Sequence, residues 1–363
     1  LGMMTNDGDC LDCDYGDITD RIALTFRAAG HLFTPMFDWV STGPVITPFG
    51  RSGGQPIDAS DRDDAVQYSL RIARLDHPED IQDQVKQGDM VLNYGIWTMF
   101  RTQGEELKPS YYVQDPYDPA APIARDDREE QRDGLIFTAN SYGKLFWGNV
   151  ELGAEVALVY GTYKEQLPDD PDVEKTSVYK LGGALEASWR LRGEQDGIIL
   201  NLMAGGASGD SAPGYGALDF SSTQRRQSAA SADDRKLQNF QFSPDYHVDL
   251  LMFRRIVGTV TDAWYVRPGL TYMFDQNFAG KIAAIYSQAI FKRSVPGSSR
   301  WMGLELDGEI SYGLEGPDPG PFATALAGGV AIPFGAFENP DRPEDQERGS
   351  FAWTFQARLY LTF

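Results

Sequence analysis

Hydrophobic and polar residues alternate along much of this chain with the period of a β-strand. From Phe351 onward, Phe351, Trp353, Phe355, Ala357, Leu359, Leu361 and Phe363 share one face, and Ala352, Thr354, Gln356, Arg358, Tyr360 and Thr362 share the other. The same alternation sets Val66, Tyr68, Leu70 and Ile72 against Gln67, Ser69, Arg71 and Ala73. It sets Val150, Leu152, Ala154, Val156, Leu158 and Tyr160 against Glu151, Gly153, Glu155 and Ala157. Tyr179, Leu181, Leu185, Ala187 and Trp189 oppose Lys180, Gly182, Ala184, Glu186 and Arg190, and Met302, Leu304, Leu306, Ile310 and Tyr312 oppose Gly303, Glu305, Asp307 and Glu309. Strands that are apolar on one side and charged on the other suit a sheet with lipid on one face and water on the other. In the core of a soluble sandwich the charged faces would need pairing.

This pattern predicts strands at about 21 to 29, 32 to 41, 65 to 75, 90 to 102, 135 to 147, 149 to 163, 177 to 191, 197 to 207, 261 to 273, 278 to 291, 301 to 312, 322 to 336 and 351 to 363. Connections alternate in length, as they do in an up-and-down barrel with short turns on one side and long loops on the other. The Gly30 region, Gly148, Arg192 to Asp196 and Phe274 to Asn277 are short, whereas 42 to 64, 103 to 134 and 208 to 260 are long and read as extracellular loops. The segment 78 to 88 reads as a short periplasmic helix, with Pro78 at its start, acids in its first turn and Gly88 after its end. The expected fold is therefore all-β, a transmembrane antiparallel up-and-down β-barrel forming one domain over 1–363. Thirteen strands read from the chain is an odd number, and single-chain bacterial barrels have even ones, so about 14 to 18 strands are expected with the N-terminal strand or strands preceding this sequence. The lack of a signal peptide at Leu1 fits the same expectation of a mature or N-terminally incomplete chain.

Composition narrows the partners. A net charge of -21 argues against nucleic acid, whose binding needs basic patches that displace counterions. Acidic outer loops suit divalent cations and lipopolysaccharide at a cell surface. The one long uncharged run, Pro319 to Phe337, holds Pro321, Pro333, Gly328 and Gly329 and reads as a strand rather than a membrane helix. Trp39, Trp147, Trp189, Trp264, Trp301 and Trp353 fall near strand ends or on the lipid face, where an aromatic girdle belongs.

Several groups could carry chemistry. Asp7, Asp9, Asp12, Asp14 and Asp17, interleaved with Asn6, Gly8 and Gly16, offer hard oxygen ligands and make the loop 6–17 a candidate Ca²⁺ site. Their spacing is not that of an EF-hand, and an acidic surface loop held by backbone hydrogen bonds is the plainer reading. Cys10 and Cys13 lack the second cysteine pair or nearby histidine that zinc would need, so a local disulfide is the candidate state. His31, His77 and His247 are too scattered for a nucleophile and base to share a wall, and Asp245, His247 and Asp249 read as a hydrogen-bonded loop before a protease-like acid and histidine. No enzyme and no cofactor beyond that calcium is expected. Inward-facing Arg71, Lys180, Arg190 and Arg358, with Arg101, Lys144, Arg267 and Lys281, would oppose Glu151, Glu155, Glu186, Glu305, Asp307 and Glu309. Opposed bases and acids tune selectivity in a wet lumen, and they can equally be wall salt bridges. The stretch 208 to 260, with Phe240, Phe242, Tyr246, Leu250, Met252 and Phe253, is too apolar to float free and should fold inward as a constriction or offer a partner surface.

Three stretches resemble an uncharacterised family of outer-membrane barrels from myxobacteria and related bacteria. They are Leu1 to Asp9 with Asp14 to Asp17, Arg62 to Tyr68 through Asn93 to Gly95, and Asp245 to Leu250 leading to Tyr265 to Pro268. More loosely, the chain is similar to porins of the alginate-export type, and its terminal Phe363 resembles the C-terminal signature by which bacterial outer-membrane barrels are recognised. The resemblance implies a bacterial outer-membrane location, strands ahead of the Leu-Gly-Met segment, and no catalytic residues. Together these readings lead to the expectation of a porin-like channel for passive passage of small polar or anionic solutes. The alternative is a structural barrel, closed by its loops, that anchors or contacts other envelope proteins.

Overall fold

The computed structural model describes residues 3–5, 19–40, 65–107, 129–166, 173–191, 197–210, 235–292, 295, 297, 299–314, 322–338 and 351–361. The chain begins its sheet with β1 (Asp20–Ala23) and β2 (Phe26–Ala28), which are two halves of one strand, both paired with β3 (His31–Val40). β4 (Ala65–Arg74), β5 (Met90–Leu107), β6 (Glu129–Trp147), β7 (Val150–Gln166), β8 (Val173–Arg190) and β9 (Gly197–Ala207) follow, each antiparallel to the one before. After the two-residue β10 (Lys236–Leu237), the meander resumes with β11 (Ala263–Met273), β12 (Phe278–Ala289), β13 (Trp301–Tyr312), β14 (Phe322–Pro333) and β15 (Ala352–Leu361). One up-and-down antiparallel sheet thus runs from β1 to β15, the wall of a transmembrane β-barrel, with β10 off this path and parallel to β8. Among the described residues its two edges, β1 and β15, are not hydrogen-bonded to each other.

The outer face explains why the sheet is a membrane wall. Leu306, Ile310, Leu326, Phe355 and Leu359 point outward and are largely exposed, and Trp353 is 70% exposed. A contiguous apolar surface of that extent is not stable in water. Most strands are also the length a tilted strand needs to cross hydrocarbon, from 10 residues in β3 and β15 to 12 in β12, β13 and β14. Among the described residues no helix is long and apolar enough to cross a membrane. The register places Trp147 beside Val150 and Val150 beside Trp189 at one end of the wall, while Trp264 and Trp301 both pair with Gln288 at the other. Two aromatic belts result.

Short connections carry the backbone chemistry their geometry demands. Gly148, at φ 55, occupies the first central position of a tight β6–β7 turn, where a left-handed residue matches the twist of the flanking strands. Between β11 and β12, Asp275 Oδ1 accepts hydrogen bonds from the Asn277 and Phe278 N–H groups at 2.7 and 2.8 Å. Helix α1 (Pro78–Lys86) fills the β4–β5 connection, with Pro in its first turn, Glu79 and Asp80 favouring its N-terminal dipole and Lys86 its last turn.

Two sequence expectations shift. β5 and β6 reach Leu107 and Glu129, so the loop expected at 103 to 134 is shorter, and its ends are strand. In these arms both faces carry polar residues, with Gln131 and Asp133 exposed and Gln103 and Arg132 buried, so the apolar alternation that marked the membrane part disappears. Met302, expected on the lipid face, is fully buried, because a bulge between Ser287 and Gln288 pairs Trp301 and Gly303 on either side of it and turns it inward. Gly303 is required there, since a Cβ would lie 2.5 Å from the Ile332 carbonyl oxygen. The described part of 208 to 260, expected to fold inward as a constriction or to offer a partner surface, lies against the inner face of the sheet. The connections at 41–64 and 108–128 lie outside the described residues.

Candidate functional site

The inner face of the wall is small where it meets this inner segment. Ala157, Ala184, Ala207, Ala263, Ala283 and Ala289 form its floor, and Phe240, Phe242, Tyr246, Val248, Met252, Phe253, Val257 and Val260 pack onto it. Gly182 makes room for Phe240, whose ring carbons would lie 2.4 and 2.5 Å from a Cβ at that position. Gly205 does the same for Tyr265 at 2.8 Å, and Tyr265 donates to the Tyr246 hydroxyl at 3.1 Å. A segment that touches β8, β11, β12 and β13 at once shows that the sheet curls around it.

Two wall glutamates hold inner backbone rather than facing water. Glu305 on β13 is fully buried; its Oε1 accepts from the Leu250 and Leu251 N–H groups at 3.0 and 2.8 Å, and its Oε2 from Met252 N–H at 2.8 Å. Those three donors open the π-helical turn Met252–Val257, whose first N–H groups have no partner within the turn. Asp249 continues the cap, accepting from Phe253 N–H at 3.0 Å and Arg254 N–H at 3.1 Å. Burial, and then the Glu305 charge, pushes the Asp249 carboxyl up to about 7. Glu155 on β7, 1% exposed, plays the same part for the N-terminal residues. It accepts from Met4 N–H at 2.6 Å and, by shorter contacts, from Met3 N–H, the Thr5 hydroxyl and the Asn140 amide. The Met4 carbonyl in turn accepts from Ser243 N–H at 2.6 Å, which ties the two inner segments together.

The other predicted wall charges separate into distinct groups. Glu309 receives Lys281 at 3.3 Å and Arg358 from β15, while Glu151 pairs with Lys144. Asp307 lies beside Glu305 on the inner face, but neither of its oxygens accepts a hydrogen bond. Arg71 and Lys180 are half-buried on that face, and Arg190 is exposed at the rim of β8. A separate ladder, missed in the sequence, crosses β1, β3, β4 and β5 at one register level. Arg21 Nε donates to Asp38 at 2.6 Å, Gln67 donates to Asp38 at 3.0 Å, and Arg101 donates to Gln67 at 2.6 Å. Glu155 and Glu305 were expected to face a wet lumen or to pair along its wall, and the structure instead covers them with inner backbone. Asp249 was also missed as an anchor, although a lone carboxylate beside Leu250, Leu251, Met252 and Phe253 is a signal that could have found it. Asp7, Asp9, Asp12, Asp14, Asp17, Cys10 and Cys13 lie outside the described residues.

One cavity of about 320 Å³ remains where the inner segment meets β11 to β15. Arg254, Arg267, Lys281 and Arg358 line it together with Asp249, Asp307 and Glu309.

No protein-family model and no curated protein sequence matches the chain. Among solved structures it is similar to the copper transporter OprC, at 13% identity over 90% of this chain and 52% of that one, with a TM-score of 0.35. It is also similar to the Pseudomonas putida toluene transporter TodX, at 9% identity over 86% of this chain and 77% of that one, with a TM-score of 0.26. The chain spans about half the length of OprC.

Proposed function

We propose that this protein is a bacterial outer-membrane barrel that passes small polar or anionic solutes, and that the conformation described here is closed by residues 238–262. The observation that carries this reading is the charged inner wall facing a segment that fills it, held chiefly by Glu305 and by packing on small residues. A wall built only for anchorage has no need of five charged side chains, Arg267, Lys281, Asp307, Glu309 and Arg358, around an internal cavity. Kinship with the myxobacterial-type barrels, a location in the outer membrane of a Gram-negative cell, calcium in the loop 6–17 and contact with lipopolysaccharide belong to the same proposal.

Planar-bilayer recording tests it. The full chain should conduct little, and a variant lacking 239–257 should conduct steadily. Absence of conductance in both would remove the passage. A second reading, a structural barrel that contacts other envelope proteins, is favoured by the filled interior itself. A stoichiometric partner that co-purifies from native membranes, together with two silent recordings, would support it.

A further inference from the structure

The cavity between the inner segment and β11–β15 has a surplus of positive demand. Glu309 is already shared by Lys281 and Arg358. Asp249 spends both oxygens on backbone N–H groups. Asp307 keeps both oxygens buried, with Oδ1 in the space that a Cβ on Gly329 would enter at 2.5 Å. Arg267 is different: among the described residues its guanidinium makes no ion pair, and its one hydrogen bond runs from Nη1 to the Met203 thioether at 3.2 Å. A thioether is a weak acceptor, and a half-buried guanidinium is best matched by an oxyanion it can meet with two parallel N–H groups.

We propose that this cavity binds a small organic oxyanion, a carboxylate or a phosphate of a few carbons, with Arg267 as its main contact and Lys281 and Arg358 as flanking cations. The inference rests on the reading of the barrel as a solute passage and names the solute class. About 320 Å³ is at the small end of ligand sites, which excludes polymers and favours single compact anions. Ala283 and Ala327 supply an apolar side for a short carbon chain. His247 and Arg254 come from the inner segment, while Arg267, Lys281 and Arg358 come from the wall, so a bound anion bridges the two and holds the segment in place.

Calorimetry on the full chain in detergent tests this with succinate, inorganic phosphate and glycine betaine as separate probes. Succinate, phosphate or both should bind, the two arms telling which oxyanion the site takes, and glycine betaine should bind at least 10-fold more weakly than the better of them, as expected for ~1.4 kcal/mol or more of charge-assisted bonding. Arg267→Gln should weaken the anion about 10- to 100-fold, Arg267→Lys should recover part of that loss, and Lys86→Gln on helix α1 should change nothing. The anion should also slow hydrogen exchange in residues 247–257 of the native chain and not in Arg267→Gln. Failure of both anions to bind, equal affinity in Arg267→Gln, or betaine binding as tightly as the anion would overturn the proposal. If Arg267→Gln does not fold, Arg358→Gln carries the same expectation. Anion binding without conductance in the 239–257 deletion would remove the passage and keep the site; conductance without anion binding would remove the site and keep the passage.

Discussion

Replacing Glu305 with alanine should unseat the inner segment while leaving the wall intact. Glu305 accepts three backbone N–H groups, from Leu250, Leu251 and Met252, at 3.0, 2.8 and 2.8 Å. Charge-assisted bonds of this kind are worth about 1.5 to 3 kcal/mol each, so the set is worth roughly 4 to 9 kcal/mol. Part of that is offset in the variant, because Asp249 and Asp307 lose a like-charged neighbour. A net loss of about 3 kcal/mol or more is expected, which corresponds to roughly 100-fold faster hydrogen exchange at these amides. Exchange measured by mass spectrometry on detergent-purified protein would resolve it, with Glu305→Gln intermediate because one oxygen is retained. The β13 amides themselves should keep their protection, since their partners are on β12 and β14. Unchanged exchange at residues 250–256, or equal loss of protection across β12 to β14, would refute the idea that Glu305 holds the segment rather than the wall.

Facing can be tested at two adjacent residues: Leu306→Arg on the lipid side should cost about 2 to 4 kcal/mol near the bilayer midplane and impair insertion, while Asp307→Asn should insert normally, as refolding yield and gel mobility would report. Gly182→Val should drive a methyl into the Phe240 ring and destabilise the seated segment by about 1 to 3 kcal/mol, and adding Phe240→Ala should restore part of the loss in the same exchange measurement. Burial pushes both Asp249 and Asp262 up to about 7, so each holds its proton more tightly in the folded state than in the unfolded chain. Their contribution to stability therefore falls as pH rises from about 4 to about 7 and is constant above. Asp262→Asn should shrink the advantage of pH 5 over pH 8 in the thermal midpoint, and an unchanged difference would count against the burial argument.

How far the fold was legible depends on which solvent each residue meets. Leu304 and Leu306, or Phe355 and Leu359, show their place in the sequence because a membrane strand has lipid on one side, so the period alone marks the wall and its turns. In the arms of β5 and β6 the buried face is polar too, with Gln103 and Arg132 inside, so that mark vanishes and the strand ends were missed. The bulge that turns Met302 inward depends on cross-strand register between β12 and β13, which no local pattern records. The inner charges were found as a class, but their tasks were not. Glu305 lies 53 residues from Met252, and Glu155 lies 151 from Met4, so only the curled sheet makes either one an anchor. Alternation told which side of the wall each glutamate faces; whether it meets water, a solute or buried backbone was decided by the segment that tertiary packing brought against it.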